Sequence, residues 1–309
     1  MTKGSIVVTG GSGFLGQAVV RSLTASGVAA SGIRVPRSAS EDLREMAACQ
    51  RVVDGADVVI HLAGNVGGIG YNRERPGELF YDNLLMGVQL MEAARQAGVR
   101  KFVAVGTVCA YPRELPAPFR EDDIWNGYPE ATNAPYGLAK KMLLVQAQAY
   151  RQQYGFNAIY LLPTNLYGPG DHFGPDRSHV IPALIRKVAE ARAQGADHID
   201  VWGTGTATRD FCYVDDAAEA IVRAADRYES AEPMNIGSGR ETAIRELVET
   251  ICRLMGFTGE IRWDASKPDG QPRRWLDTSR ALGMLGFEAR TPLEEGLRRT
   301  IQWWERQQK

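Results

Sequence analysis

Tyr136 and Lys140 stand four residues apart at the start of an apolar-periodic run, 142–150. On a helix, positions i and i+4 share one face, so the Lys140 ammonium would lie beside the Tyr136 phenol. A neighbouring positive charge favours the phenolate and draws the tyrosine pKa toward working pH. A phenol tuned in this way can give a proton to a carbonyl oxygen or take one from an alcohol. Taken alone, such a pair is more often ordinary helix surface, and its weight comes from the surrounding chain. Thr107 and Cys109 lie one residue apart just after an apolar stretch, 101–106. That is the carboxyl end of a predicted strand, where open α/β sheets do their chemistry.

These side chains need a scaffold, and the N-terminal stretch supplies its first unit. Ser5-Ile6-Val7-Val8-Thr9 reads as a buried strand, Gly10-Gly11-Ser12-Gly13-Phe14-Leu15-Gly16 as a tight turn, and Val19, Val20 and Leu23 as one face of a helix. Strand, glycine turn and helix make a dinucleotide cradle, with the pyrophosphate on the helix N-terminus. The acid that would bind a ribose 2′-hydroxyl about twenty residues on is missing from 32–37, which holds Arg34 and Arg37 instead. Two arginines suit a 2′-phosphate and favour NADP(H) over NAD; the bland alternative is a pair of solvated loop charges. Asp42 follows closely and would line the adenine. Residues 56–64 form a further strand ending at Leu62 and Ala63, small enough for the backbone to pass the cofactor. His61 within it reads as a structural strand residue.

Strands and helices alternate up to Pro163 and indicate a doubly wound parallel α/β sheet. Residues 79–97 and 136–154 read as helices, and 113–135, rich in proline and acids, as a long surface loop. Beyond 166 the pattern breaks. The expected organisation is a Rossmann domain of 1–165 and about 210–236, with a smaller, discontinuous substrate domain of about 166–209 and 237–309. Three late stretches look chemical: Asn235-Ile236-Gly237, Lys267-Pro268-Asp269-Gly270 and Arg273-Arg274.

Composition narrows the function classes. The chain has 309 residues, 44% hydrophobic and 24% charged, with a formal net charge of -1. That supports a sizeable core and gives no reason to expect a nucleic acid or an anionic membrane surface as partner. Cys49, Cys109, Cys212 and Cys252 are widely spaced, which fits a reducing cytoplasm and argues against a structural metal or disulfide framework. No apolar run approaches the roughly 18 residues of a membrane span.

Together these motifs resemble the extended short-chain dehydrogenase/reductase superfamily over nearly the whole chain. Within it, the chain is similar to the bifunctional epimerase/reductases of GDP-4-keto-6-deoxymannose. Beside the tyrosine and glycine motifs, that narrower likeness rests on the stretches 66–70, 109–112, 132–136, 163–168, 178–182, 201–205 and 267–270. The resemblance implies a sugar-nucleotide substrate, NADP(H) and a homodimer built on the helices near 80–96 and 136–154. It gives Tyr136 the proton for the C4 oxygen and Lys140 the nicotinamide ribose. Thr107 stands where serine is usual and would hydrogen-bond the carbonyl. Cys109 and His179 match an acid/base pair for epimerisation: a C4 ketone acidifies the protons on C3 and C5, and thiols and imidazoles titrate in the right range. Pro163, Asn165, Leu166 and His179 would also line the cofactor, and Asn165, Lys187, Trp202, Arg209 and Asp269 the sugar nucleotide. Cys49, Cys212, Cys252, His172 and His198 are left as structural, and Trp303-Trp304 as helix packing. Three rivals remain: a C4 ketoreductase without epimerisation, an NAD-retaining 4-epimerase, and an NADP-sensing binding module without catalysis.

Overall fold

Aliphatic and β-branched runs bounded by glycine form the strands, and apolar repeats at helical spacing form the helices between them. The computed structural model describes residues 4–175, 177–267 and 269–308. The first part of the chain holds β1 (Ser5–Thr9), α1 (Phe14–Ala25), β2 (Ile33–Arg34), α2 (Met46–Val53), β3 (Ala56–His61), α3 (Ile69–Glu74), α4 (Pro76–Gln96), β4 (Lys101–Val105), α5 (Ala134–Tyr154) and β5 (Ala158–Pro163). The second holds β6 (Asn165–Tyr167), α6 (Val180–Gln194), β7 (His198–Trp202), β8 (Thr208–Arg209), β9 (Phe211–Tyr213), α7 (Val214–Arg227), β10 (Met234–Ile236), β11 (Thr242–Ala243), α8 (Ile244–Leu254), β12 (Glu260–Asp264), β13 (Arg273–Arg274), α9 (Ser279–Leu285) and α10 (Leu293–Gln307).

One parallel six-stranded sheet runs in the order β10-β5-β4-β3-β1-β2. The chain leaves β1 for β2 on one side and then crosses to β3 on the other. Ligands of open α/β sheets bind at the carboxyl ends of the strands where the order reverses. Here that is the turn after β1 and the segment after β3. Alternate residues of each strand face opposite layers, as period-two geometry requires. Ile6, Val8, Ile60 and Val103 pack with α1 and α7, while Val7, Val59, Phe102 and Ala104 pack with α2, α4 and α5. Both faces are covered, which is why the strands read as continuous apolar runs.

A third apolar cluster lies outside the sheet. It joins Tyr167, Ile181, Ile185, Val201, Phe211, Leu247, Ile251 and Leu297, and it forms the core of a smaller lobe. Two sequence expectations change here. Ala281, Leu285 and Phe287 belong to the α1/α7 core, so 237–309 does not go wholly with the smaller lobe; α9 returns to the large sheet, where the alanines of α7 leave room for it. The 113–135 stretch is a packed strap more than a surface loop. Phe119 and Ile124 are fully buried, the Asn235 amide donates to the Phe119 carbonyl at 3.0 Å, and the Lys141 ammonium donates to the Ile124 carbonyl.

Candidate active site

The cradle after β1 fits a dinucleotide. Gly10 has φ 69°, and a β-carbon on Gly16 would lie 2.0 Å from the Gly10 carbonyl oxygen, so only glycine closes this turn. Gly13 caps α1 with no side-chain hydrogen bond, and no acid occupies the first turn. Phe14 and Leu15 open that turn and pack on the core. The orphan N–H groups and the positive end of the helix dipole are thus left for an anion. Leu62 and Ala63 face the turn, the Ala63 nitrogen lying 2.8 Å from where a Gly10 β-carbon would be.

The two arginines separate. Arg34 donates from Nε to the Ser5 hydroxyl at 3.0 Å and from Nη2 to the Asp54 carbonyl at 2.6 Å. Ser5 and Asp54 lie at the amino ends of β1 and β3, so Arg34 clamps the wrong end of the sheet for a 2′-phosphate. This corrects its assignment to the cofactor. Arg37 is exposed and follows Val35, whose side chain lies against Gly11 of the turn. Asp42 holds Arg44 at 2.7 Å, and Arg44 reaches Asp82 at 3.0 Å. The Arg44 hydrogen bonds pull the Asp42 carboxyl down to about 2, so its oxygens are engaged within the chain.

Tyr136, Thr107 and Cys109 come together because α5 lies hard against the turn after β4. A β-carbon on Gly137 would sit 2.3 Å from the Cys109 carbonyl oxygen, and glycine permits the approach. The Thr107 hydroxyl and the Cys109 thiol both act on the Tyr136 phenol, and the Thr107 Oγ1 accepts the Cys109 N–H at 3.2 Å. Burial raises the Tyr136 pKa, with a further push from Cys109, and the Thr107 hydroxyl only partly offsets it. This corrects the expectation that Lys140 draws the phenol down. Lys140 is itself 3% exposed, and burial pushes its ammonium down to about 8.

Arg274 completes this wall. Its Nη1 lies 3.8 Å from the Cys109 sulfur, and its Nη2 donates to the Asn165 Oδ1 at 3.0 Å. Asn165 in turn donates to the Asp210 carbonyl at 2.8 Å. Arg209, pushed down to about 9 by burial and then by the Arg274 charge, joins the same cluster. The Arg273-Arg274 pair carries a chemical look in the sequence but no role. The structure divides it: Arg273 goes to Glu241 at the surface, 2.7 Å away, and Arg274 to the thiol. Pro163 ends β5, and Leu166 in β6 is half-buried beside Asn165.

His179 comes from a loop. His179 precedes α6 with a half-exposed side chain, its Nδ1 3.8 Å from Asp171 Oδ1. Ser178 lies against the 64–68 loop, its carbonyl 2.6 Å from where a Gly68 β-carbon would be, and Arg177 covers the Tyr71 ring at 4.3 Å. Farther out, Lys187 donates to the Asp200 carbonyl. Asp269 spends both oxygens on Thr204, at 2.7 and 2.8 Å. Pro268 of the same stretch lies outside the described residues. Trp202 is 67% exposed, with the Lys267 ammonium 5.9 Å from its ring. Among the described residues, no helix is long and apolar enough to cross a membrane.

A dinucleotide cradle at the strand-order reversal and a Tyr-x-x-x-Lys helix beside the β4 turn define an extended short-chain dehydrogenase/reductase. The NAD dependent epimerase/dehydratase family matches residues 6–237, and this chain belongs to it. The particular relatives agree with one another. The chain is 40% identical over 304 residues to the probable GDP-L-fucose synthase 1 of Oryza sativa subsp. japonica, covering 97% of this chain and 92% of that protein. It is 37% identical over 317 residues to the GDP-L-fucose synthase of Escherichia coli strain K12, covering 98% and 97%. Among solved structures, a GDP-L-fucose synthetase from Naegleria fowleri bound to NADP superimposes with a TM-score of 0.89 at 28% identity, covering 100% of this chain and 96% of that one.

Proposed function

We propose that this chain is an NADPH-dependent epimerase/reductase of a nucleotide-linked 4-keto-6-deoxyhexose, converting GDP-4-keto-6-deoxymannose to GDP-L-fucose. The observation that carries the reading is the contiguous Tyr136–Thr107–Cys109–Arg274 wall, in which a proton donor for an oxygen and an ionisable thiol stand side by side. Bound NADPH supplies the hydride for C4. Tyr136 gives its proton to the C4 oxygen as that oxygen takes on charge, and burial, which keeps the phenol protonated, suits a donor in this direction. Thr107 orients the carbonyl by its hydroxyl. Lys140 holds the nicotinamide ribose with its ammonium, and the free N–H groups at the start of α1 hold the pyrophosphate.

Before reduction, Cys109 removes the acidified proton on C3 or C5, and His179 returns one from the opposite face. Arg209 and Arg274 offer paired planar donors for the diphosphate. Cys109 in contact with Arg274 favours epimerisation over the plain ketoreductase. Arg37, exposed beside the turn, is the residue for a 2′-phosphate and supports NADPH over NADH. The chain works in the cytoplasm, where its four free cysteines stay reduced. It works as a homodimer that covers the exposed Phe80 and Tyr81 of α4 and Val145 of α5.

The test is NADPH oxidation with GDP-4-keto-6-deoxymannose in heavy water, with deuterium at C3 and C5 read by NMR. Oxidation with label at both carbons is expected. Oxidation without label would leave a C4 ketoreductase, and neither signal would overturn the substrate.

A further inference from the structure

Asp171 is a buried carboxylate only partly accounted for by the fold. Its side chain is 3% exposed. Oδ1 accepts the backbone N–H of His172 at 2.7 Å, which one oxygen is enough to do. Oδ2 is buried with no hydrogen-bond partner. Burying a carboxylate oxygen unpaired is costly, and native folds keep such atoms where a function uses them. The His179 ring lies beside it, with Nδ1 at 3.8 Å from Oδ1. That is ion-pair range, longer than a hydrogen bond, and catalytic hydrogen bonds tighten when substrate binds. The two residues flank one short loop, which Phe173 anchors by stacking on Trp304 at 5.9 Å.

We propose that Asp171 is the positioning residue of His179, holding a proton on Nδ1 so that Nε2 is the nitrogen that exchanges protons with the sugar. The proposal rests on the epimerising role given to His179 above. In the protonation step, the enolate carbon uses its π pair to form the new C–H bond. The Nε2–H bond breaks and leaves its pair on nitrogen. The ring ends neutral, with its remaining proton on Nδ1 facing Asp171, and water restores the Nε2 proton. A carboxylate does this for the histidine of hydrolase triads, where losing it puts the ring in the wrong tautomer. The His179 side chain is half exposed, so water can reach the ring.

The experiment compares wild type with Asp171→Asn, using 15N spectra of the histidine rings and turnover of GDP-4-keto-6-deoxymannose. Only four histidines are present, so His179 is assignable by its loss in His179→Gln. Wild type should show the neutral ring protonated on Nδ1. In Asp171→Asn the amide donates to Nδ1, the proton moves to Nε2, and deuterium uptake by the sugar falls about a hundredfold. Asp171→Glu should restore the Nδ1 proton and part of the uptake. An unchanged tautomer in Asp171→Asn, or unchanged uptake despite a changed tautomer, overturns the proposal. If Asp171→Asn does not fold, Asp171→Glu decides: a proton lost from Nδ1 there overturns it. The ring spectra need no substrate. A wild type inactive on this sugar would therefore fail the functional reading while leaving the Asp171 result legible.

Discussion

Thr107 and Lys140, on the wall that rests on β4 and α5, are buried and Tyr136 beside them is partly buried, whereas His179, on a loop, is half open to water although its neighbour Asp171 is buried. Two carboxylates mark the same contrast. Asp210, behind the β4/α5 wall, accepts the Ser238 N–H at 3.0 Å and hydroxyl at 2.6 Å and has further N–H partners in Gly239 and Leu276. Asp171 leaves one oxygen without a partner. A fully satisfied buried network rigidifies, while a partly satisfied one is free to take a new partner. The difference matches the chemistry proposed above for Tyr136 and for His179. Reduction needs one proton, held in place until the hydride arrives. Epimerisation needs a group that trades protons with solvent between steps.

The comparison breaks most readily at Tyr136. Tyr136→Phe should cut NADPH oxidation by about 10²- to 10⁴-fold while deuterium still enters the sugar. Cys109→Ser should do the reverse, retaining reduction of a ketone and losing full epimerisation; loss of both signals in both variants would mean that reduction and epimerisation do not act separately. Next comes the burial of Lys140. Lys140 binds its proton less tightly when folded, about 8 against 10.5. Its stability contribution is therefore fully present above pH 10.5 and lost as pH falls through about 8. Lys140→Met should gain on wild type over that window, by about 3 kcal/mol at its foot, as read by denaturant unfolding across pH. A constant difference would mean that the ammonium is solvated. The smallest effect concerns the arginines. Arg37→Ala should weaken NADPH about tenfold and leave NADH alone, the loss of one charge-assisted phosphate contact. Arg34→Ala should leave the cofactor ratio unchanged and cost about 1 kcal/mol of stability. The opposite pattern would return 2′-phosphate recognition to Arg34.

What the sequence made legible was local. The glycine turn and the Tyr136–Lys140 spacing each fit within one turn and one helix, where neighbours along the chain are neighbours in space. What it hid was set by distance along the chain. Arg274 meets a thiol 165 positions away. Arg34 is pinned by Asp54, 20 positions away, and nothing in a short strand tells which end its side chain will seek. Proline and acids made 113–135 look like surface, but Asn235 holds Phe119 from the far end of the sheet. The spacing identified a charge near Tyr136 and could not weigh it against burial, which wins.

The return of α9 to the large sheet bears on how the chain can be cut. A fragment ending at Ile236 would hold all six strands of the sheet. It would still lack Ala281, Leu285 and Phe287 against α7, and the Trp275 carbonyl that receives the Phe119 N–H at 2.8 Å. The cofactor half is therefore not a separable cassette. A split reporter or a circular permutant belongs in the exposed turn at 265–267, where a break leaves both cores covered, and not at the junction where the lobes meet.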